Sequence, residues 1–392
     1  MHCPSMDIQI TRIKARSAMN VARKVLVVGG GIGGLCTAIA LRRKNIAVDL
    51  VELQSDWTVY GVGIIQQGNV LREMSRLGLL EAYLDAAYAF EDVAIYTAEG
   101  QQLVRIPGQR LAGPQYPANV GISRRALHKV LSETVIELGA QVRLGLSVES
   151  LEQDEAGVEV VFTDASRGRY DLVVGADGLY SKVRSLLFGD KYQPRFTGQS
   201  VWRYNFPRPA HLDHLATYQG AMGNAGLVPL SEDLMYMFVT SHEPDKPWME
   251  NDQLAAQMRL RLQGFGNPIA QLCEQIVDND QVVYKPLEAV FVDEPWYRGR
   301  VVIIGDAAHA TTPHLGQGAG MAIEDALVLS EALTGEGSVE EQLQHFMSRR
   351  YERCKFISES SLLAGEREIA RDYTFDRASL VRRMLEVTAQ PI

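Results

Sequence analysis

The 392-residue chain is poor in the features that mark several functional classes. Its four cysteines, Cys3, Cys36, Cys273 and Cys354, form no C-x-x-C pair. Neither a zinc site nor a redox-active dithiol is expected, and a reducing cytoplasm suits them. Basic residues are outnumbered: 39 Lys and Arg against 48 Asp and Glu leave a net charge of -9. A polyanion is met by a basic face, so this balance argues against nucleic acid or an anionic membrane surface and for a small-molecule partner. No secretory signal opens the chain, because Asp7, Arg12, Lys14 and Arg16 break up its apolar residues; residues 1–23 read as a frayed tail. No apolar run is both long and uninterrupted. The nearest, Val25 to Leu41, contains Gly29, Gly30, Gly31, Gly33 and Gly34 and is closed by Arg42, Arg43 and Lys44, which fits a soluble strand, turn and helix better than a membrane span. Internal repeats, a nucleophile triad and metal-ligand spacing are also missing, so no metal is expected.

What is present is a core large enough for more than one domain, with 46% hydrophobic and 22% charged residues. The segment Lys24–Val28 reads as a buried parallel strand, Leu35–Arg43 has helical spacing, and Ala47–Glu52 is again strand-like. Gly29, Gly31 and Gly34 between them fit G-x-G-x-x-G, and Glu52 follows the last glycine by eighteen residues. Small residues there let the chain turn tightly and let a pyrophosphate approach a helix N-terminus, whose free N–H groups and dipole favour an anion. Glu52 is placed to accept from a ribose hydroxyl. These residues predict a nucleotide site without choosing between NAD and FAD.

Two later segments bear on that choice: DLVVGADGLYSKVR, from Asp171, and GRVVIIGDAAHATTPHLGQGAGMAIEDALVL, from Gly299. In the second, a strand ends at Gly305, Asp306 can accept from a polyol, and Gly316, Gln317, Gly318 and Ala319 make a small-residue loop opening a helix. With GGGIGG, these segments resemble the three fingerprints of the single-component FAD-dependent aromatic hydroxylases, the family of para-hydroxybenzoate hydroxylase. The resemblance runs from about Val25 to Tyr351. It implies tight, non-covalent FAD, with Gly29, Gly31, Gly33, Gly34 and Glu52 at the adenosine end. It implies Arg124 near the phosphates, Asp177 and Gly178 serving the pyrophosphate region and NAD(P)H docking, and Gly305 and Asp306 at the ribityl chain. Gly63 would run beside the flavin, the loop from Gly316 to Gly320 would line the isoalloxazine, and Pro313 would sit over its substrate side. NAD(P)H would bind transiently, since no second G-x-G-x-x-G follows a strand.

The implied activity is hydroxylation of a phenol, a hydroxylated aromatic acid or a nitrogen heteroaromatic, using NAD(P)H and O2 through a flavin C4a-hydroperoxide. A flavin-dependent reductase, dehydrogenase or epoxidase acting on a hydrophobic substrate such as an isoprenoid shares the same fingerprints, and a non-enzymatic binding protein on this fold is a third reading. Arg203 in SVWRYNF and His314 beside Pro313 are the candidate catalytic groups; a histidine can exchange protons near neutral pH. Tyr204, Tyr218, Tyr236 and Phe238 are candidate pocket walls. The expected fold is α/β: a Rossmann-like FAD domain from 24–194 and 291–350, an inserted mainly β substrate domain at 195–290, and a helical segment at 351–392, as a monomer or homodimer.

Overall fold

The computed structural model describes residues 22–57, 61–221, 223–372 and 374–392; the tail expected at 1–23 falls almost wholly outside them. Lys24–Val28 forms the strand read from its apolar run, with its last four residues buried. It lies inside a six-stranded sheet, between Leu172–Gly175 and Ala47–Glu52, both parallel to it. Gln141–Leu144 extends the sheet on one side and Val301–Ile303 on the other, both parallel; the two-residue strand Tyr297–Arg298 closes an edge antiparallel. The central strands Lys24–Val28, Leu172–Gly175 and Val301–Ile303 are buried on both faces, which is why their runs are almost continuous in Val, Ile and Leu.

The helix Ile32–Arg43 leaves the first strand through the glycines and buries every residue from Gly34 to Leu41. It packs against the helix Gly318–Ala332, where a Cβ on Gly33 would stand 3.3 Å from the Ala322 methyl. Close approach of two buried helices requires small residues at the contact. The long helix Val339–Ile369 crosses behind and is opened by a capping box between Ser338 and Glu341.

A second sheet has seven strands in the order Val283–Ala289, Arg195–Pro207, Leu234–His242, Asn224–Pro229, Leu215–Gln219, Asp92–Thr97 and Gln102–Pro107. Its outer face carries Trp202, Tyr204, Phe206, Tyr218, Met235 and Met237 into a separate core with Leu254, Met258 and Ile269. Because side chains alternate along a strand, Val201, Arg203 and Asn205 occupy the other face, with Phe238 paired to Arg203 and Tyr236 to Asn205.

Two expected boundaries shift. Asp92–Pro107 does not belong with the nucleotide sheet: Asp92–Thr97 pairs in parallel with Leu215–Gln219, Val93 opposite Leu215, and so extends the substrate sheet across the 195–290 limit. The limit at residue 350 falls inside the uninterrupted helix Val339–Ile369, whose buried Arg350 is tied to Glu324 and Asp325 of the nucleotide-domain helix.

Candidate functional site

The adenosine end is built from backbone. Gly29 has φ +108°, and a side chain there would overlap the Ala176 carbonyl; one on Gly34 would overlap the carbonyl of Gly29. Gly31 differs, because it is the N-cap of Ile32–Arg43 and a Cβ on it would meet nothing within 4 Å. That open space before a helix N-terminus is where an anionic group fits. Glu52 bonds the N–H groups of Gly30 (2.7 Å) and Gln54 (2.8 Å), which turns its carboxylate across the mouth of the glycine loop. A cavity of ≈ 110 Å³ opens beside it, lined by Gly30, Gly31, Glu52, Gln54, Trp57 and His128. Trp57 and His128 lie with ring centroids 5.0 Å apart, and the His128 Nε2 lies 3.0 Å from the Gly30 carbonyl. Neither residue stands out in the sequence, since a Trp in a loop and a His at mid-helix carry no motif.

Ala176 and Asp177 lie against this loop, with their backbone where a Gly29 side chain would have to go, and Gly178 follows with φ +77°. The Asp177 carboxylate accepts from Ser181 Oγ (2.5 Å) and the Val183 N–H (3.0 Å), so it organises the start of the helix Lys182–Phe188. Burial raises its pKa. Asp177 therefore shapes the turn beside the phosphate space while its oxygens are engaged within its own loop.

The other end of the cleft is assembled from side chains of distant segments. Arg124 acts electrostatically on Arg203, Tyr236 and Asp306, and Arg203 on Tyr236, although these residues come from a helix start, two strands of the seven-stranded sheet and the turn after Gly305. Asp306 is closely surrounded by protein yet open to the water of the cleft, as a wall residue is. Burial raises its pKa against the pull of His309 and Arg124. Burial lowers the Arg203 pKa to about 10, with Arg124 adding to the effect. Burial likewise lowers Arg124 and raises Tyr236. Two cations held at a cost in one cleft make it a place for electron-rich or anionic groups. Gly63 lets this face close up, since a Cβ there would lie 2.6 Å from the Tyr236 ring.

Gly305, with φ +57°, gives its N–H to Asp325 Oδ2 (2.9 Å), which also meets His309 Nε2 (2.7 Å); Arg350 Nε holds Oδ1 (2.8 Å). Burial works against the Asp325 charge, but His309 and Arg350 outweigh it and hold the carboxyl at about 2. Ligand atoms of His309, Asp325 and Cys354 lie within 4.8 Å of one another, but Arg350 is bonded to Asp325 and lies 3.3 Å from Cys354 Sγ, a fixed cation that would repel a metal ion there. Gln317 turns inward to Gln67 and to Asn69 (3.2 Å to Oδ1), bracing the loop rather than facing the cleft. Beyond it, Gly316 (φ +67°), Gly318 and Ala319 present bare backbone at the N-terminus of Gly318–Ala332, and a Cβ on Gly318 would meet nothing within 4 Å.

The candidate catalytic and wall residues sort cleanly. Pro313 is exposed at the cleft, but the adjacent His314 imidazole is turned into the protein with only 1% of the side chain accessible. Both its nitrogens lack a hydrogen-bond partner, and burial lowers its pKa to about 4. A general base works best with a pKa near the operating pH, so His314 is a neutral packing group rather than the base it suggests in sequence. Tyr236 and Phe238 share a face with Arg203; Tyr204 and Tyr218 lie in the outer core on the opposite face and are removed as wall candidates. Arg72, nine residues after Gly63, donates to the carbonyls of Ala389 (3.0 Å) and Thr388 (3.5 Å) at the end of the helix Arg377–Ala389.

The glycine cradle with Glu52 and the small-residue loop with Asp306 meet around Ala322, which both Gly33 and Gly305 approach, and this donor set fits a flavin dinucleotide. A family model described as an FAD binding domain matches residues 22–357. The chain belongs to this FAD-binding family. Among curated relatives, it is 32% identical over 334 residues to the provisionally named FAD-dependent monooxygenase YetM of Bacillus subtilis (strain 168), covering 85% of this chain and 90% of that one. It is 31% identical over 347 residues to the 2-heptyl-3-hydroxy-4(1H)-quinolone synthase of Pseudomonas aeruginosa, covering 87% and 88%. The solved structure of Klebsiella pneumoniae HpxO with FAD and uric acid superposes with a TM-score of 0.84 at 24% identity, over 94% of this chain and 97% of that one. The chain is thus a flavoprotein of the monooxygenase class, with FAD as its cofactor. No helix among the described residues is long and apolar enough to cross a membrane.

Proposed function

We propose that this FAD enzyme uses NAD(P)H and O2 to hydroxylate a small aromatic or heteroaromatic compound held between the Pro313 loop and the Arg203 face of the seven-stranded sheet. The observation that carries the reading is the FAD-binding family match over residues 22–357, supported by Arg203 lying opposite Phe238 on the inner face of the seven-stranded sheet and within electrostatic reach of Arg124 and Tyr236. When bound, FAD would supply the redox chemistry that links NAD(P)H to dioxygen.

The chain's own residues do the rest. Glu52 and the N-terminus of Ile32–Arg43 hold the adenosine and phosphates. Asp306 would accept from the ribityl hydroxyls, and Arg124, within electrostatic reach of it, would offset negative charge on the adjoining part of the FAD. The bare N-terminus of Gly318–Ala332 favours electron density on the ring that faces it. Arg203 orients the electron-rich oxygen of the substrate, and a cation in a confined cleft stabilises that oxygen as it loses its proton. Tyr236, Phe238 and Pro313 exclude water from the reacting ring. NAD(P)H docks transiently near Asp177 and Gly178, with no fold of its own.

The test is NAD(P)H oxidation by the FAD-loaded protein across phenols, hydroxybenzoates, hydroxypyridines, quinolones and uric acid, with peroxide release scored beside product. Label from ¹⁸O2 should enter the product of at least one. Turnover that proceeds equally well without oxygen would overturn the proposal.

A further inference from the structure

The family match ends at residue 357, yet the chain folds back and lays the end of the helix Arg377–Ala389 against Arg353. A helix C-terminus offers free carbonyls and the negative end of its dipole. The Arg353 guanidinium spends every N–H it has. Nη1 donates to the carbonyls of Val387 (2.7 Å) and Gln390 (3.0 Å), and Nη2 to that of Thr388 (2.9 Å). The remaining N–H groups form a fork on Glu324, from Nε to Oε2 (2.9 Å) and from Nη2 to Oε1 (2.8 Å). Arg350 Nη1 holds the same Oε2 (2.6 Å). Burial works against the Glu324 charge, but Arg350 and Arg353 outweigh it and lower its pKa.

An ionised carboxylate only accepts, so the Asn69 amide must turn its N–H groups toward Glu324, with Nδ2 3.0 Å from Oε1. Asn69 Nδ2 also donates to Gln317 Oε1 (3.0 Å), which leaves Asn69 Oδ1 to accept from Gln317 Nε2 (3.2 Å). Gln317 Nε2 donates as well to Gln67 Oε1, and Gln67 Nε2 then reaches the Leu315 carbonyl (3.3 Å). Asn69, Gln317 and Glu324 are each 1% exposed, so solvent does not compete, and reversing one amide would oblige the others to reverse. Gly320 leaves the space for them, because a Cβ there would lie 2.9 Å from Gln317 Oε1 and 3.5 Å from Asn69 Nδ2. One direction of hydrogen bonding therefore runs from the C-terminal helix to the backbone between Pro313 and Gly316.

We propose that Arg353 and Glu324 are positioning residues for the flavin ring, through which the end of the C-terminal helix sets the conformation of the loop at 313–319. The helix end holds the guanidinium square to Glu324, Glu324 fixes the sense of the amides, and Gln67 anchors the Leu315 carbonyl. A helix beyond the family match thereby takes part in a site that the match contains. The inference rests on the placement of that loop at the flavin ring given above.

Flavin-free protein is titrated with FAD, its absorbance spectrum is recorded when loaded, and its melting temperature is measured without flavin. Gln67→Leu, at the loop, and Arg353→Gln, at the helix end, should each weaken FAD about tenfold and shift the flavin spectrum. The two residues share no hydrogen-bond partner, so independent effects would multiply to about a hundredfold, whereas the double variant should stay near tenfold. Arg349→Gln is the control for stability alone. Arg349 donates to the Ile392 carbonyl (2.6 Å) and to Glu331 (2.8 Å) rather than to the relay. Its loss should lower the melting temperature and leave FAD affinity and spectrum unchanged. If Arg353→Gln does not fold, wild type serves, because coupling between two sites is reciprocal. FAD should then slow amide hydrogen exchange at 384–390 at least about threefold more than in the outer-lobe helix Leu254–Arg261. Multiplying effects, equal FAD loss in the Arg349 variant, an Arg353→Gln protein with FAD affinity and spectrum intact, or exchange that FAD does not slow overturns the inference. Gln67→Leu with unchanged FAD affinity and spectrum would instead remove the placement of the loop at the flavin ring.

Discussion

The two ends of the proposed FAD site are made in different ways. The adenosine end is a short piece of chain, Lys24–Glu52, whose glycines shape the backbone and whose one charged contributor, Glu52, is bonded to the loop it closes. The ring end draws Arg124, Arg203, Tyr236, Asp306 and Pro313 from separate elements, and its charges are held at a cost by burial. A backbone site tolerates no side chain where backbone must touch backbone; a side-chain site tolerates substitution in the fold but not in the chemistry. Stability and function should therefore come apart differently at the two ends.

The sharpest break is at Gly34. Gly34→Ala sets a methyl on the Gly29 carbonyl, and the protein should lose FAD retention and several kcal/mol of stability, at least ~3, seen together in flavin content and thermal melting. Gly31→Ala has open space, so its melting temperature without flavin should hold while FAD affinity drops at least about tenfold as the methyl enters the phosphate space. Equal damage to stability at both glycines would end the distinction.

Asp325→Asn should cost ~3 kcal/mol by leaving Arg350 under-compensated in the core. The wild-type carboxyl is depressed from 3.8 to about 2, so its contribution is present above pH 3.8 and is lost as the pH falls toward 2. An acid-unfolding profile of the variant should lack that contribution to the slope. At the ring end, Arg203→Gln should keep the melting temperature and FAD content but lower product per NAD(P)H about tenfold, the remainder appearing as peroxide. In wild type, affinity for an aromatic ligand that needs the Arg203 charge should fall as the pH rises through about 10, whereas an ordinary arginine would stay charged. The smallest effects belong to Tyr218→Phe, which should alter KM and kcat by less than about twofold because the ring lies in the outer core.

The same contrast governs what could be read in advance. The strand, glycines, helix, strand and terminal acid were legible because each is local and has a distinctive period or residue type. The side-chain end was only half legible. Motifs single out Arg203, Asp306 and Pro313 as candidates, whereas Tyr204, a candidate pocket wall by residue type, falls on the face opposite Arg203, as the alternation of Val201 to Phe206 already implies. His314 looked like a base because nothing in the sequence shows that its ring turns under Gly365. The Glu324 relay carries no signal at all: Asn69 lies 255 residues from Glu324 and 248 from Gln317, a pairing that no local pattern encodes.

The parallel pairing of Asp92–Thr97 with Leu215–Gln219 bears on how such enzymes can be recombined. A substrate lobe cut out at 195–290 would leave behind the two strands that finish its sheet and Glu368, whose carboxylate ties down its inner face through Thr240. A chimera that transplants substrate preference between relatives should carry three pieces together: Asp92–Pro107, the middle segment, and the chain through Arg377.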